Sequence, residues 1–330
     1  MLLRLIKNNR LPGIILIAFI MAALWTKSIL FPVAPAPSAE MPLYEFIFGR
    51  LSQLHALSSI LGAICYAIIM VLIVRFNEIH FLLEDRTYMP VVFFLLLLAS
   101  FPHSLQLNPV LLASIFLILA ILVLIRGDEF RADPIALFNA SLLLAAGSLF
   151  YLKIIWFIPF LWITAAIIRP LKWRGIVNPL LVLLMLSLFY ITYYWVFKNN
   201  IGQIWRLIHE NLAISKGAFR ELSLPIWAIS GYLLLLVIIT SAYMLSRFQA
   251  RKIIIRKLYQ VFFILFIYSL LFYFFVSGYH PEVIILLIIP VAYLFSNYFQ
   301  RKKNPFLHQL MIWLWIVLIL LIQISEISAN

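Results

Sequence analysis

Cysteine is nearly absent: Cys65 is the only one in 330 residues. A single thiol excludes an intramolecular disulfide and any cysteine-cluster metal site, so Cys65, inside an apolar run, reads as packing. Charge is scarce too. Asp, Glu, Lys and Arg make up 11% of the chain, where a soluble domain carries about a quarter. That leaves too little polar surface to cover water-soluble helices. There is no Walker loop, no dinucleotide glycine fingerprint and no His-Glu-x-x-His pair. No His-x-x-His or cysteine-rich spacing offers haem or iron–sulfur ligands. Neither a cofactor nor a metal is therefore expected. Charged residues are also missing from the middle of every apolar run, where ion-coupled transporters usually carry some. No internal repeat or low-complexity segment occurs.

What the chain has in quantity is apolar sequence, 65% of its residues. The runs recur at lengths near the roughly 20 residues that a membrane helix needs. The expected fold is an all-α integral membrane protein, one polytopic domain over residues 1–330. Eleven transmembrane helices are expected, at about 13–31, 55–76, 88–102, 109–125, 135–152, 154–168, 176–197, 225–245, 259–276, 282–298 and 306–324. The third and sixth are short for a bilayer. The basic stretch Arg4, Lys7 and Arg10 before the first run suggests a signal peptide. That run is longer than a signal core of about 7–15 residues, so a retained signal anchor is expected.

Helix starts are marked by Asn108-Pro109, Asp133-Pro134, Asn178-Pro179 and Asn304-Pro305. Asn or Asp caps the amides of the first turn, and proline next to it gives up only an N–H that would be unpaired there. Pro159 and Pro290 fall inside expected spans and should kink them.

Charge sets the orientation. With the N-terminus in the cytoplasm and the spans alternating, 18 of 25 basic residues and 6 of 12 acidic ones face inward. The inner net charge is then +12 and the outer one +1, the asymmetry of a positive-inside protein. The overall charge of +13 thus points to membrane topology and not to nucleic acid. The C-terminus is expected outside, in a bacterial cytoplasmic (inner) membrane.

The two longest polar stretches, 32–54 and 198–224, both fall on the outer side. Each contains an expected interfacial helix. In the first, Leu43, Phe46, Ile47, Leu51 and Leu54 share a face. In the second, near 201–213, Ile201, Ile204, Trp205, Ile208 and Leu212 do so, and Arg206 and Glu210 are spaced as a helix ion pair. Glu40 and Glu45 of the first stretch are candidates for a general base or a metal contact. Arg50 and His55 are candidates for binding phosphate. The alternative is that Glu45 is the solvated side of the helix and Arg50 snorkels to headgroups. Lys153 interrupts an apolar hairpin beside Phe150, Tyr151 and Trp156. It would attract a lipid phosphate or snorkel within an aromatic belt. Tyr279-His280-Pro281-Glu282 forms a short outer turn. There His280 would orient a headgroup, or Glu282 would simply favour the helix start.

The hairpin 136–168 carries Leu137-Phe138-Asn139, the small residues Ala145-Ala146-Gly147, Lys153 and Pro159. It resembles the paired-helix segment of type-C glycosyltransferases, multi-span enzymes that use polyprenyl-phosphate sugars. The stretch from His280 to Tyr298, with Pro290 inside, is similar to the helix of those enzymes that begins with an outer basic residue. The first outer loop is similar in position to the loop holding their catalytic acid. The whole chain resembles a bacterial multi-span family without an assigned activity, distantly related to that superfamily. The chain departs from the superfamily in having no Asp on the outer side, only Glu40 and Glu45 in the loop, and no large outer domain.

The resemblance implies a transferase-like protein acting on a lipid-linked substrate at the outer leaflet. Glu45 or Glu40 would then be the base, with Arg50, His55, Lys153 and His280 holding the substrate. Membrane lipids are the expected partners, polyprenyl phosphate among them. The alternatives are a non-enzymatic scaffold or subunit of an envelope assembly and, third, a transporter.

Overall fold

The computed structural model describes residues 10–30, 41–48, 54–80, 83, 87–101, 105–126, 134–168, 173–198, 209, 212, 224–278, 280–300 and 305–329. Among the described residues all regular structure is helical. The chain runs through α1 (Arg10–Leu30), α2 (Pro42–Phe48), α3 (His55–His80), α4 (Met89–Ala99), α5 (Pro109–Arg126) and α6 (Pro134–Ser148). A 3-10 turn, Leu152–Phe157, then leads into α7 (Ile158–Ile168). Next come α8 (Trp173–Tyr193), α9 (Leu224–Ser246), α10 (Ile253–Leu271), α11 (Ile284–Phe299) and α12 (Pro305–Ala329). Widened π-turns close α8 (Tyr194–Lys198) and α10 (Phe272–Val276), and a 3-10 turn, Pro281–Val283, opens α11.

Each of the eleven apolar stretches falls on an apolar helix. Six helical stretches are long and apolar enough to cross a membrane: Ala56–Ile79, Trp173–Val196, Ile226–Ser246, Ile253–Val276, Pro281–Phe299 and Phe306–Ile324. Five are shorter, including Met89–Ala99 and Leu152–Ile168, the two stretches already short in the sequence.

α4 and α11 form the centre. All of α4 is buried except Leu96, and α11 is buried on every side. α4 is apolar all round, and α11 is so up to Ser296 and Asn297 near its end, as suits helices enclosed by other helices. Phe93 of α4 meets Phe295 and Phe299 of α11 and Trp315 of α12. Around this pair α11 also packs against α9, α10 and α5. The outer helices show the opposite pattern. On α8 Leu180, Leu181, Leu184, Met185 and Leu188 are exposed, and on α12 Trp313, Leu314, Val317, Leu320 and Leu321 are exposed. An apolar outer surface of this extent suits lipid contact and not water.

Two glycines permit close helix packing. A Cβ on Gly62 would lie 2.8 Å from the Leu105 carbonyl oxygen. On Gly147 it would lie 3.1 Å from Cβ of Phe116, so the Ala145-Ala146-Gly147 stretch is where α6 closes onto α5.

Long-range contacts sort the helix ends into two sets. At one end Tyr44 Oη donates to the Leu107 carbonyl, Tyr190 Oη to that of Ser148, Tyr268 Oη to that of Trp156, and Lys153 to that of Val276. At the other, Lys257 donates to the Ile168 carbonyl, Arg251 bonds Asn297, and Gly13 lies against Tyr88.

The expected helix starts hold at Asn108-Pro109, where Asn108 Oδ1 accepts the Leu111 amide at 2.7 Å, the geometry of an N-cap. Pro134 and Pro305 are likewise first helical residues. Asn178-Pro179 is different. α8 starts at Trp173 and Pro179 lies buried inside it. Fewer than two turns, Trp173 to Asn178, precede the proline, so its missing N–H removes a single bond near the helix start. Pro290 is inside α11 as expected, but Pro159 is the second residue of α7. It marks the change from 3-10 to α and does not sit mid-helix.

The buried face of α2 also differs from the apolar stripe in the sequence. Phe46 is 83% exposed, and Met41 and Tyr44 are buried instead. Of the stretch 201–213, only His209 and Leu212 are among the described residues, both helical.

Candidate functional site

The hairpin after α6 begins with Tyr151 in extended backbone (φ −142°, ψ 98°), which turns the chain into Leu152–Phe157. This turn carries Lys153, whose side chain is only 6% exposed. Its ammonium donates to the Val276 carbonyl at 3.2 Å. Val276 closes the π-turn of α10, in which the Ser277 amide bonds the Phe272 carbonyl five residues back. The last carbonyls of a helix have no partner within it and form its negative end, which a cation satisfies. The expected alternative of a snorkelling lysine therefore does not hold, because Lys153 points into the protein.

The chain then reverses. Gly278 has φ 67°, the left-handed region that glycine enters without a Cβ clash. His280 is extended (φ −66°, ψ 124°), as the residue before a proline tends to be. Its carbonyl accepts the Val283 amide at 3.1 Å and closes the turn that opens α11. Glu282 falls in that first turn, where the helix dipole favours negative charge.

Electrostatics ties these segments together. His280 is exposed by area, yet burial first and the Lys153 charge second hold its pKa below the ordinary 6.5. It is thus neutral at pH 7, with one ring nitrogen donating and one accepting. Tyr44 of α2 is pushed up to about 12, by burial first, then by Glu282 and Cys65. Tyr151 is raised by burial first and then by Glu282. The Glu282 charge is therefore felt by α2 and by the 151 hairpin.

The structure brings together two of the sequence-derived candidates, Lys153 and His280. Glu40 and Arg50 lie outside the described residues. Glu45 is in α2 and His55 opens α3, but neither side chain is among the described parts. Tyr44, Tyr151, Glu282 and the Val276 carbonyl join the site from the structure. Of these, Glu282 stands beside His280 and Tyr151 beside Lys153 in the sequence. The freed carbonyl had no sequence signal. Among the described residues no group of three His, Cys, Asp or Glu gathers to hold a metal.

The arrangement offers a buried ammonium and a neutral imidazole as donors, the Glu282 carboxyl group nearby, and phenols that stay protonated. Such a set can hold a phosphate by hydrogen bonds and one positive charge. No protein-family model, curated protein or solved structure matches the chain.

Proposed function

We propose that the chain is a multi-pass protein of a bacterial cytoplasmic membrane that binds the phosphate of a lipid-linked substrate at the outer boundary. Its eleven apolar helices would cross in alternation, N-terminus inside and C-terminus outside. The pairing of helix ends supports this. Tyr44 with Leu107, Lys153 with Val276 and Tyr268 with Trp156 each join ends that alternation puts outside. Lys257 with Ile168 and Arg251 with Asn297 join ends that it puts inside. The exposed Phe46 and Ile47 of α2 suit a helix lying in the interface.

The observation that carries the binding proposal is the buried Lys153 beside His280. An ammonium out of water is costly unless it serves an anion or a dipole. Here it is held on a helix C-terminus at the boundary end of the bundle, where a lipid phosphate would arrive. The activity proposed is glycosyltransferase-like, with polyprenyl phosphate-linked sugar as the substrate class. Lys153 and His280, together with Arg50 and His55, would hold the phosphate, and Glu45 or Glu40 would take a proton from the acceptor hydroxyl.

The second reading is a non-enzymatic membrane scaffold, favoured by the contact of Lys153 with Val276, which a purely structural lysine would also make. Transfer of a labelled sugar from polyprenyl phosphate separates the two. Glu45→Gln, alone or with Glu40→Gln, should abolish transfer while the protein purifies normally. Full transfer by the double variant would contradict a glutamate base in this loop.

A further inference from the structure

Five cations crowd the connection between α9 and α10 and the start of α10, at the bundle end opposite Lys153: Arg247, Arg251, Lys252, Arg256 and Lys257, the last bonded to the Ile168 carbonyl. Three of them are organised on aromatic rings. The Arg247 guanidinium carbon lies 5.8 Å from the Tyr243 ring centre, that of Arg251 4.5 Å from Tyr259, and that of Arg256 5.9 Å from Phe248. Arg251 also donates to Asn297 Oδ1 at 2.6 Å. Because a guanidinium only donates, this bond fixes which way the Asn297 amide points. The amide nitrogen of the buried Asn297 is left without a hydrogen-bond partner. The ring of the next residue, Tyr298, lies 5.3 Å from that of Tyr243, which brings Arg247 to the same turn of α11. Among the described residues no ion pair neutralises the three arginines.

We propose that this ledge is a binding site for the phosphate of an anionic phospholipid in the adjoining leaflet. Arginine presents a planar fork of donors that fits phosphate oxygens. The ring contacts, and for Arg251 the bond to Asn297 as well, restrict these side chains in advance, so less of their freedom is lost on binding. A loop of ordinary solvated charges would have its cations extended into water. Here Arg247, Arg251 and Arg256 are all half-buried. The source of the phosphate follows from the neighbours. Leu245, Ile253 and Ile254 flank the cations and are 55%, 64% and 48% exposed, an apolar border suited to acyl chains. The proposal rests on the membrane reading but not on the transfer reading, since the two sites lie at opposite ends of the bundle.

The test is native mass spectrometry of the full chain in mild detergent, titrated with phosphatidylglycerol or phosphatidylcholine. Phosphatidylglycerol should bind at least about tenfold more tightly. Arg251→Gln and Arg247→Gln should each lower its affinity about fivefold, the effect of one basic residue at an anionic surface. Should Arg251→Gln not fold, the double variant Arg247→Gln/Arg256→Gln decides the matter by the same measure. Equal binding of the two lipids, or wild-type affinity in the folded variants, overturns the proposal. Displacement of the lipid by millimolar inorganic phosphate overturns it too, since the site would then be one for free phosphate.

Discussion

Lys153 reaches the Val276 carbonyl across 123 positions of sequence, and with that bond the 151 hairpin caps the end of α10. The contact joins the two loops that carry the proposed phosphate donors. Lys153→Met should remove a charge-assisted bond to a partly buried carbonyl, at a cost of about 1–2 kcal/mol. Thermal unfolding in detergent should show a midpoint lower by several degrees. An unchanged midpoint would mean that the lysine is not held on Val276.

His280 should titrate below 6.5, and Lys153→Met should move it upward by removing the charge that opposes its proton. Its folded pKa is depressed, so the sign is fixed. The stabilising contribution of the neutral ring is present above about pH 6.5 and is lost as the pH falls through the folded value. Carbon-13 labelled histidine followed by NMR between pH 4 and 8 measures both. A ring that titrates at 6.5 in both proteins would place Lys153 and His280 apart.

Gly62 and Gly231 should respond oppositely to alanine. At Gly62 the new methyl would press on the Leu105 carbonyl and the Leu107 amide at 2.8 and 3.0 Å, backbone that cannot turn aside. A loss of about 1–3 kcal/mol is expected. At Gly231, within α9, nothing lies within 4 Å, and alanine should stabilise by about 0.5–1 kcal/mol. Thermal midpoints of the two variants should fall on either side of the parent.

The helices were legible because a run of apolar residues leaves few alternatives. Asn108 reads as a cap in the sequence and is one, since its side chain and the following proline act within one turn. The same pair at Asn178 misled, because Trp173 to Val177 already form a turn of helix upstream. On α2 the sequence marks one apolar face, with Phe46 and Ile47, while the structure buries Tyr44 of the helix and Met41 just before it. Lipid is as apolar as a protein core, so composition does not tell which face meets which. Lys153 and His280 were legible because charge and imidazole are rare in this chain. Their partner on Val276 was not, since it is a backbone oxygen exposed by a π-turn, and no side chain marks it.

The measurement that bears most directly on the central claim is the identity of the lipid retained by the purified chain. The protein is extracted in mild detergent and its bound lipid identified by mass spectrometry, beside Lys153→Met and His280→Ala. The account predicts a polyprenyl phosphate or its sugar-linked form on the parent protein, and at least about tenfold less on Lys153→Met, as the loss of a charge-assisted phosphate contact implies. A parent protein carrying only bulk phospholipid, or a Lys153→Met variant retaining polyprenyl phosphate in full, would contradict it.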